Sequence, residues 1–336
     1  MKAAVFRAPG EPLAITDVPD PTPAPGQLVL RVAGCGICGS DLHMSEQRLP
    51  AGMVMGHEFA GEIAAVGRDA GDWQVGDAVC ALPLIGCGRC LHCLAGDTQF
   101  CRELKGTGLG AVPGAYAEYV LASALETFRL PERLAPHEGA LVEPLAVGLH
   151  VVHAAEVRPG DRVLIVGAGP VGLATAMWAH HAGARDVIVS DFVAHRRELV
   201  EQFGATGTID PAREEVLPAF ERQAGAVPTV VIECVGVPGL IQHIIDLAPP
   251  RCRVVVAGVC IKPDTIVPVT ALMKELRLVF VAFYNRADFA HTIAMLAAGR
   301  IAPAGMITDL IDLSSLPEAF EALRTPSTQC KVIVRP

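Results

Sequence analysis

The sequence predicts an α/β protein in which a β-rich region gives way to a doubly wound parallel sheet. Three observations predict it. The first 150 residues hold short apolar runs separated by Gly and Pro. From the turn Arg158-Pro159-Gly160-Asp161 onward, strand and helix patterns alternate. At 336 residues the chain has length for about two domains, each with its own core.

In the first region the runs Leu28–Ala33, Gly61–Val66 and Val75–Cys80 are bounded by turn residues such as Pro25-Gly26 and Gly76-Asp77 and read as short strands. The alternation then runs through strand Val163–Val166, helix Val171–Ala182, strand Val187–Ser190, helix Ala194–Phe203, strand Val230–Cys234, helix Leu240–Leu247 and strand Arg253–Gly258. Strands separated by helices imply βαβ units and a parallel sheet. Asp288–Ala298 and Ser315–Leu323 read as helices and Lys331–Val334 as a last strand, with no internal repeat or low-complexity tract.

Composition removes several classes of function. An apolar fraction of 51% with only 19% charged residues excludes a largely disordered chain. The formal charge, 27 − 36 = −9, offers no basic patch for nucleic acid or an anionic membrane. The N-terminus lacks the apolar core of a secretory signal. The uncharged stretch from Val163 to Arg185 is long enough to cross a bilayer, but Gly167, Gly169, Pro170, Gly172, His180 and His181 suit a strand, a tight turn and a buried helix better. A soluble, cytoplasmic protein is expected, where thiols stay reduced.

The eleven cysteines are uneven: seven lie between Cys35 and Cys101. Cys87, Cys90, Cys93 and Cys101 form CxxCxxCx7C, a spacing that lets a tight loop bring four thiolates to one point, with Gly86 and Gly88 permitting the turns. Four thiolates close a zinc tetrahedron and leave no open position, so the expected site is structural; buried cysteines or an iron–sulfur cluster are the alternatives. Upstream, the run Cys35-Gly-Ile-Cys38-Gly-Ser40-Asp41-Leu-His43, with Gly56-His57-Glu58 and, far along the chain, Glu143, supplies the thiolate, imidazole and carboxylate types that zinc accepts while keeping one position open. Cys35 and Cys38 can also be read as a redox pair, although the βαβ context of such a pair is missing.

The run Val163-Leu-Ile-Val-Gly167-Ala-Gly169-Pro170-Val171-Gly172 is GxGxxG between a strand and a helix, the fingerprint of a Rossmann dinucleotide site. Its glycines permit the turn and close backbone approach, and the helix N-terminus meets the pyrophosphate. Asp191 closes the next strand, nineteen residues beyond Gly172, where an acid bonds the ribose hydroxyls of NAD and repels a 2′-phosphate. Helix capping is the alternative for Asp191. Arg196 and Arg197 stand close enough to meet a 2′-phosphate, so NADP is disfavoured rather than excluded.

With these elements in one order, together with Gly56-His57-Glu58, Gly114-Ala-Tyr-Ala-Glu118-Tyr and Glu143-Pro-Leu-Ala, the chain resembles the zinc-dependent medium-chain alcohol and polyol dehydrogenases nearly end to end. The resemblance implies a GroES-like catalytic domain at 1–150 and 286–336, interrupted by a Rossmann NAD-binding domain at 151–285, with the active site in the cleft between them. It implies one catalytic and one structural zinc, and makes Cys38 and His57 ligands of the catalytic ion. Glu58 becomes a ligand in some states or an acid behind the ligands. Glu143 takes the place where classical alcohol dehydrogenases carry a cysteine, as in the polyol, threonine and butanediol branches. Asp41 is expected to orient His57. Ser40 and His43 match the family's proton relay, with a solvated loop residue as the alternative for His43. Cys234, Val235, Gly258 and Val259, at later strand ends, would line the nicotinamide face, and Arg196 the adenosine ribose.

The implied chemistry is oxidation of an alcohol: the bound hydroxyl loses its proton through Ser40 and its hydride goes to the nicotinamide. Sorbitol-type enzymes carry an Arg in a Phe-Arg-Tyr stretch where this chain reads Val281-Ala-Phe283-Tyr284-Asn285. Loss of that cation, with Pro83-Leu-Ile85, Met53, Met55 and Phe283 as a candidate apolar lining, favours a medium-sized secondary or primary alcohol or its carbonyl product as the partner molecule. Polyol or threonine dehydrogenase, a zinc-free quinone or enone reductase, and a non-catalytic nucleotide-binding protein are the other readings. The resemblance implies a homotetramer, with a homodimer as the alternative. Cys35, Cys80, Cys234, Cys252, Cys260 and Cys330 are expected to serve as small apolar residues.

Overall fold

The computed structural model describes residues 1–47, 49–325 and 328–336. The chain divides into two compact units, Met1–Glu143 with Tyr284–Pro336, and Pro144–Phe283. The first boundary falls inside the helix Val142–Ala154, ahead of the 150/151 junction expected from sequence, because that helix bears no turn signal at the crossing. The return falls at Tyr284 rather than 286, since the Tyr284 ring is fully buried and stacks on Phe289 in the first unit.

The first unit is built on a seven-stranded sheet. Its path runs Ile307–Asp312, Lys331–Arg335, Gln27–Gly36, Glu58–Val66, Ala78–Ala81, Thr127–Arg129, with Tyr119–Ser123 paired to Gln27–Gly36 off that path. The strand Gln27–Gly36 is the hub, pairing antiparallel with Lys331–Arg335, Glu58–Val66 and Tyr119–Ser123. Its apolar residues are buried on both faces. The core of Ala3, Leu28, Leu30, Phe59, Ile63, Tyr116 and Phe320 lies on one side. The turn of helix Pro136–Leu141 comes close on the other, where a Cβ on Gly34 would stand 2.8 Å from the His137 Cα.

The strand expected over Val75–Cys80 begins only at Ala78, because Gly76 takes φ +94° and Asp77 closes a turn on Gln74, which leaves Val75 68% exposed. Sequence patterning missed the antiparallel pair Lys2–Val5 and Ala14–Asp17, each only four residues long. Met55 and Leu84 are buried outright and Met53 packs against the main cluster, so of pocket lining and core, the two roles open to them, these residues take the core.

The second unit is a six-stranded all-parallel sheet in the order Gly207–Ile209, Asp186–Ser190, Arg162–Val166, Val230–Glu233, Arg253–Val256, Arg277–Phe280. In chain order that is 3-2-1-4-5-6, the doubly wound arrangement that puts a ligand crevice at the carboxyl ends of the first and fourth strands. The uncharged stretch from Val163 resolves into strand Arg162–Val166 and helix Pro170–His181, whose residues Gly172–Ala179 are all buried. Apolar residues all round a helix mark one enclosed in a core. Among the described residues, no helix is long and apolar enough to cross a membrane.

Candidate active site

Two groups of side chains gather potential ligand atoms within 4.8 Å of one another: Cys87, Cys90, Cys93 and Cys101, and Cys38, His57 and Glu58. Among the described residues no disulfide is formed. In the quartet, Cys87 Sγ and Cys93 Sγ stand 4.0 Å apart, near the ~3.8 Å edge of a tetrahedron with ~2.3 Å zinc–sulfur bonds. The short helix Leu91–Ala95 starts at Cys90, whose sulfur accepts from the Cys93 N–H, and the Cys87 N–H points at Cys101 Sγ. Backbone N–H groups of Arg89 and Cys90 hold the Cys87 thiol down to about 6, whereas burial pushes Cys93 up to about 12. Four convergent sulfurs, with backbone N–H donors already turned toward them, fit a thiophilic dication. A Cβ on Gly86 would stand 2.7 Å from Cys93 Sγ, so that glycine is required for the loop to close.

The lobe is fastened by a pair absent from the sequence reading. Glu126 is 1% exposed and takes two hydrogen bonds from Arg286, at 2.6 and 3.1 Å, and one from the Thr98 hydroxyl at 2.6 Å. Arg286 also reaches the Cys93 carbonyl, and its own N–H bonds the Gly96 carbonyl.

The second group follows from sheet register. Gly36 lies opposite Glu58, so the residues just beyond the hub strand and just before its partner meet at one end of the sheet. Cys38 is the N-cap of helix Gly39–Ser45, and His57 directly precedes Glu58. Gly56 takes φ +93°, and a Cβ there would collide with the Tyr116 ring at 2.6 Å and Cys35 Sγ at 2.9 Å. The Ser40 hydroxyl donates to Cys38 Sγ at 3.1 Å and lies 3.5 Å from His57 Nε2. On the far side of the ring, His57 Nδ1 faces Asp41 Oδ1 at 3.2 Å. Asp41 is fully buried and is itself held by the Tyr116 hydroxyl at 2.6 Å and the Cys38 N–H at 3.2 Å. Burial disfavours a charged His57, but the Asp41 carboxylate and the Cys38 thiol outweigh it and raise its pKa well above the usual imidazole value. A ring so placed suits a cation at Nε2, and its Asp partner is of the kind that orients metal-bound imidazoles.

The two glutamates differ. Glu58 is 1% exposed and both its oxygens lie 2.7 Å from Lys331 Nζ, which also donates to the Ile37 carbonyl at 3.1 Å. Glu143, at the start of helix Val142–Ala154, falls outside the 4.8 Å cluster. Burial pushes it up to about 7, with His57 opposing. Tyr284, its neighbour, carries a fully buried hydroxyl that burial and the Glu143 carboxylate push well above the usual phenol value. His43 sits half-buried on helix Gly39–Ser45, three residues after Ser40.

In the second unit, Gly167 takes φ +103° and a Cβ on Gly172 would lie 1.9 Å from the Gly167 carbonyl oxygen, whereas nothing lies within 4 Å of a Cβ on Gly169. Helix Pro170–His181 begins there without a side-chain cap, so its first N–H groups, including that of Val171, are available to an anion. Asp191 accepts from the Val193 N–H and the Ala168 N–H, both at 2.8 Å, which ties it to the glycine turn. It does not cap the following helix, whose N-cap is Val193. Arg197 is committed to the Asp191 carbonyl and Asp210, while Arg196 stands 4.0 Å from the Asp191 carboxylate. Val235 and Val259 are 40% and 56% exposed at the later strand ends.

Comparison with known proteins agrees with this geometry. Residues 24–132 match the alcohol dehydrogenase GroES-like domain and residues 170–298 the zinc-binding dehydrogenase family. L-threonine 3-dehydrogenase of Aeromonas hydrophila is 31% identical over 93% of this chain and 92% of its own length. The chain belongs to the zinc-dependent medium-chain dehydrogenases. An Escherichia coli alcohol dehydrogenase solved with NADH is 29% identical, with a TM-score of 0.90 over 100% of this chain and 99% of that one. A Sinorhizobium meliloti structure of the zinc-binding dehydrogenase kind, bound to NADP, is 34% identical with a TM-score of 0.88 over the same shares. As a member of this family, the protein is an oxidoreductase acting on CH–OH donors.

Of the cysteines expected to act as small apolar residues, Cys35, Cys80 and Cys252 are buried, but Cys234, Cys260 and Cys330 are only partly so. Sequence reading missed Lys331, Tyr116, Tyr284, Glu126 and Arg286 as partners of the site. A lysine inside the apolar strand Lys331–Arg335 and a glutamate in the apolar stretch around Leu125 were the available signals. Arg286→Ala removes the cation from the buried Glu126 and is expected to cost about 3–5 kcal/mol of stability. Urea unfolding followed by fluorescence measures this, and metal analysis after dialysis should show the cysteine lobe losing its ion first.

Proposed function

We propose that this dehydrogenase is an NAD-dependent zinc alcohol dehydrogenase with one catalytic and one structural ion per chain. The observation that carries the reading is the convergence of Cys38, His57 and Glu58 ligand atoms with the Ser40 hydroxyl beside them. A zinc ion held there would lower the pKa of a bound alcohol, and NAD would supply the hydride acceptor. The chain's own residues do the rest. Cys38 and His57 hold the ion, with Glu58 or Glu143 as the carboxylate that completes the set. Asp41, fixed by Tyr116, orients His57. Ser40 takes the substrate's hydroxyl proton and His43 passes it to solvent, so that alcohol and NAD+ yield carbonyl, NADH and a proton. Cys87, Cys90, Cys93 and Cys101 hold the second ion. Gly167, Gly169, Pro170, Val171 and Gly172 receive the pyrophosphate, Asp191 and Arg196 face the adenosine ribose, and Cys234, Val235, Gly258 and Val259 face the nicotinamide.

Phe283 stands in place of the polyol branch's arginine and is 38% exposed, which favours a medium-sized, fairly apolar alcohol. The likeness to an L-threonine dehydrogenase makes threonine the second reading. Absorbance at 340 nm across apolar alcohols, vicinal diols, polyols and L-threonine, with NAD and NADP in parallel, tests both. Turnover is expected with apolar alcohols, and zinc-replete protein that turns over none of them contradicts the proposal. Cys38→Ser should keep the fold, lose one zinc of two and drop turnover more than about a hundredfold.

Asp191→Ser removes the carboxylate meant for the ribose hydroxyls. Hydrogen bonds to a charged group contribute about 1.5–3 kcal/mol, so KM for NAD should rise about ten- to a hundredfold while NADP improves relative to it.

We infer a homotetramer from two exposed apolar patches. Leu91, Leu94 and Phe100 lie on the cysteine lobe, and in the second unit Leu272 and Met273 lie on helix Pro268–Met273 and Phe280 on the outer strand of the parallel sheet. Patches of this kind mark contact surfaces. Light scattering after gel filtration should give four 35.3 kDa chains per particle; a monomer would contradict it.

A further inference from the structure

Glu233 is the last residue of strand Val230–Glu233, one of the central strands of the parallel sheet, and is 1% exposed. Such a carboxylate needs strong compensation, yet its three partners are all main-chain N–H groups. Oε1 accepts from Val235 at 2.6 Å and Gly236 at 2.7 Å, and Oε2 accepts from Gly258 at 3.1 Å. Val235 and Gly236 follow this strand, while Gly258 follows the neighbouring strand Arg253–Val256. One carboxylate therefore ties together two loops at the carboxyl edge of the sheet.

The two loops are shaped around it. A Cβ on Gly258 would stand 2.2 Å from the Gly236 nitrogen and 2.4 Å from Glu233 Oε2, and one on Gly236 would stand 2.6 Å from the Val259 backbone. Gly236 also takes φ +76°. The first loop reaches the glycine turn, where a Cβ on Gly167 would meet Val235 Cγ2 at 2.7 Å. Only an acceptor-only group with two oxygens can take three N–H donors arriving from two loops. A glutamine would turn its NH2 against one of them.

We propose that Glu233 is the positioning residue for the nicotinamide end of the cofactor: it fixes the Cys234–Gly236 and Gly258–Val259 loops at the separation that the ring requires. This rests on the reading that these loops face the nicotinamide. Its signature is selective. The adenosine and pyrophosphate parts would meet Asp191 and the glycine turn; the Glu233 carboxylate bonds neither and reaches the turn only through the Val235 side chain.

The test compares wild-type protein with Glu233→Gln, titrated with NADH by fluorescence and with NAD+ and ADP-ribose by calorimetry. ADP-ribose contains everything except the nicotinamide. Glu233→Gln is expected to raise Kd for NADH and NAD+ by about tenfold or more, while Kd for ADP-ribose stays within about twofold. Equal NADH affinity in variant and wild type overturns the inference, as does an ADP-ribose loss as large as that for NADH. Wild-type protein that binds ADP-ribose as tightly as NADH overturns it too, because the loops then do not serve the ring. If the wild type binds none of the three, the nucleotide reading falls first and this inference with it. Should Glu233→Gln fail to fold, Gly258→Ala decides on the same readout, since its Cβ would stand 2.2 Å from the Gly236 nitrogen and 2.4 Å from Glu233 Oε2 and so breaks the tie between the two loops.

Discussion

The buried Glu58–Lys331 ion pair is the constraint on which the first unit depends. Both side chains are 1% exposed, and each would be a costly isolated charge without the other. Glu58 stands at the start of one strand and Lys331 at the start of another 273 residues later, on opposite sides of the hub strand Gln27–Gly36. They meet only because Gly36 lies between them, where a Cβ would stand 2.0 Å from Glu58 Oε2. The C-terminal segment must therefore return to the first unit, and its return completes the electrostatics beside Cys38 and His57.

The same logic recurs along the His57 side of the site. The Tyr116 hydroxyl holds Asp41, and Asp41 faces the imidazole, so the ring is oriented by residues from two other segments. The cysteine lobe depends on a comparable long-range contact, in which Arg286 neutralises Glu126 and also reaches the Cys93 carbonyl. In each case a buried carboxylate is matched by a donor far away in sequence. The second unit satisfies its buried Glu233 differently, with backbone N–H groups alone. A site meant to receive a cofactor beside packed strand ends has little room for another long cationic side chain, and main-chain donors need none.

Local spacing made much of the protein legible. The cysteine quartet, the Gly-His-Glu triplet and the glycine fingerprint are short-range patterns whose chemistry follows from which residue types can stand close together. The alternation after Arg158 anticipated the parallel sheet, since each strand there is a contiguous buried run. The four-residue strands near the N-terminus were illegible because they lack enough periods to show alternation. For Met53, Met55 and Leu84 the sequence left pocket lining and core equally open, because an apolar side chain looks the same in sequence whether it faces a ligand or a core.

Sequence by itself determined the order of the two architectures, the family's chemistry and the residue types available to hold metal and nucleotide, because these depend on spacing within a few residues. Only the tertiary structure decided that Lys331 engages Glu58, that Tyr116 supports Asp41, that Arg286 anchors the cysteine lobe and that Glu233 joins two loops at the carboxyl edge of the parallel sheet. Those contacts join residues that sheet register and strand order bring together, and a buried charge selects its partner by distance in space rather than along the chain.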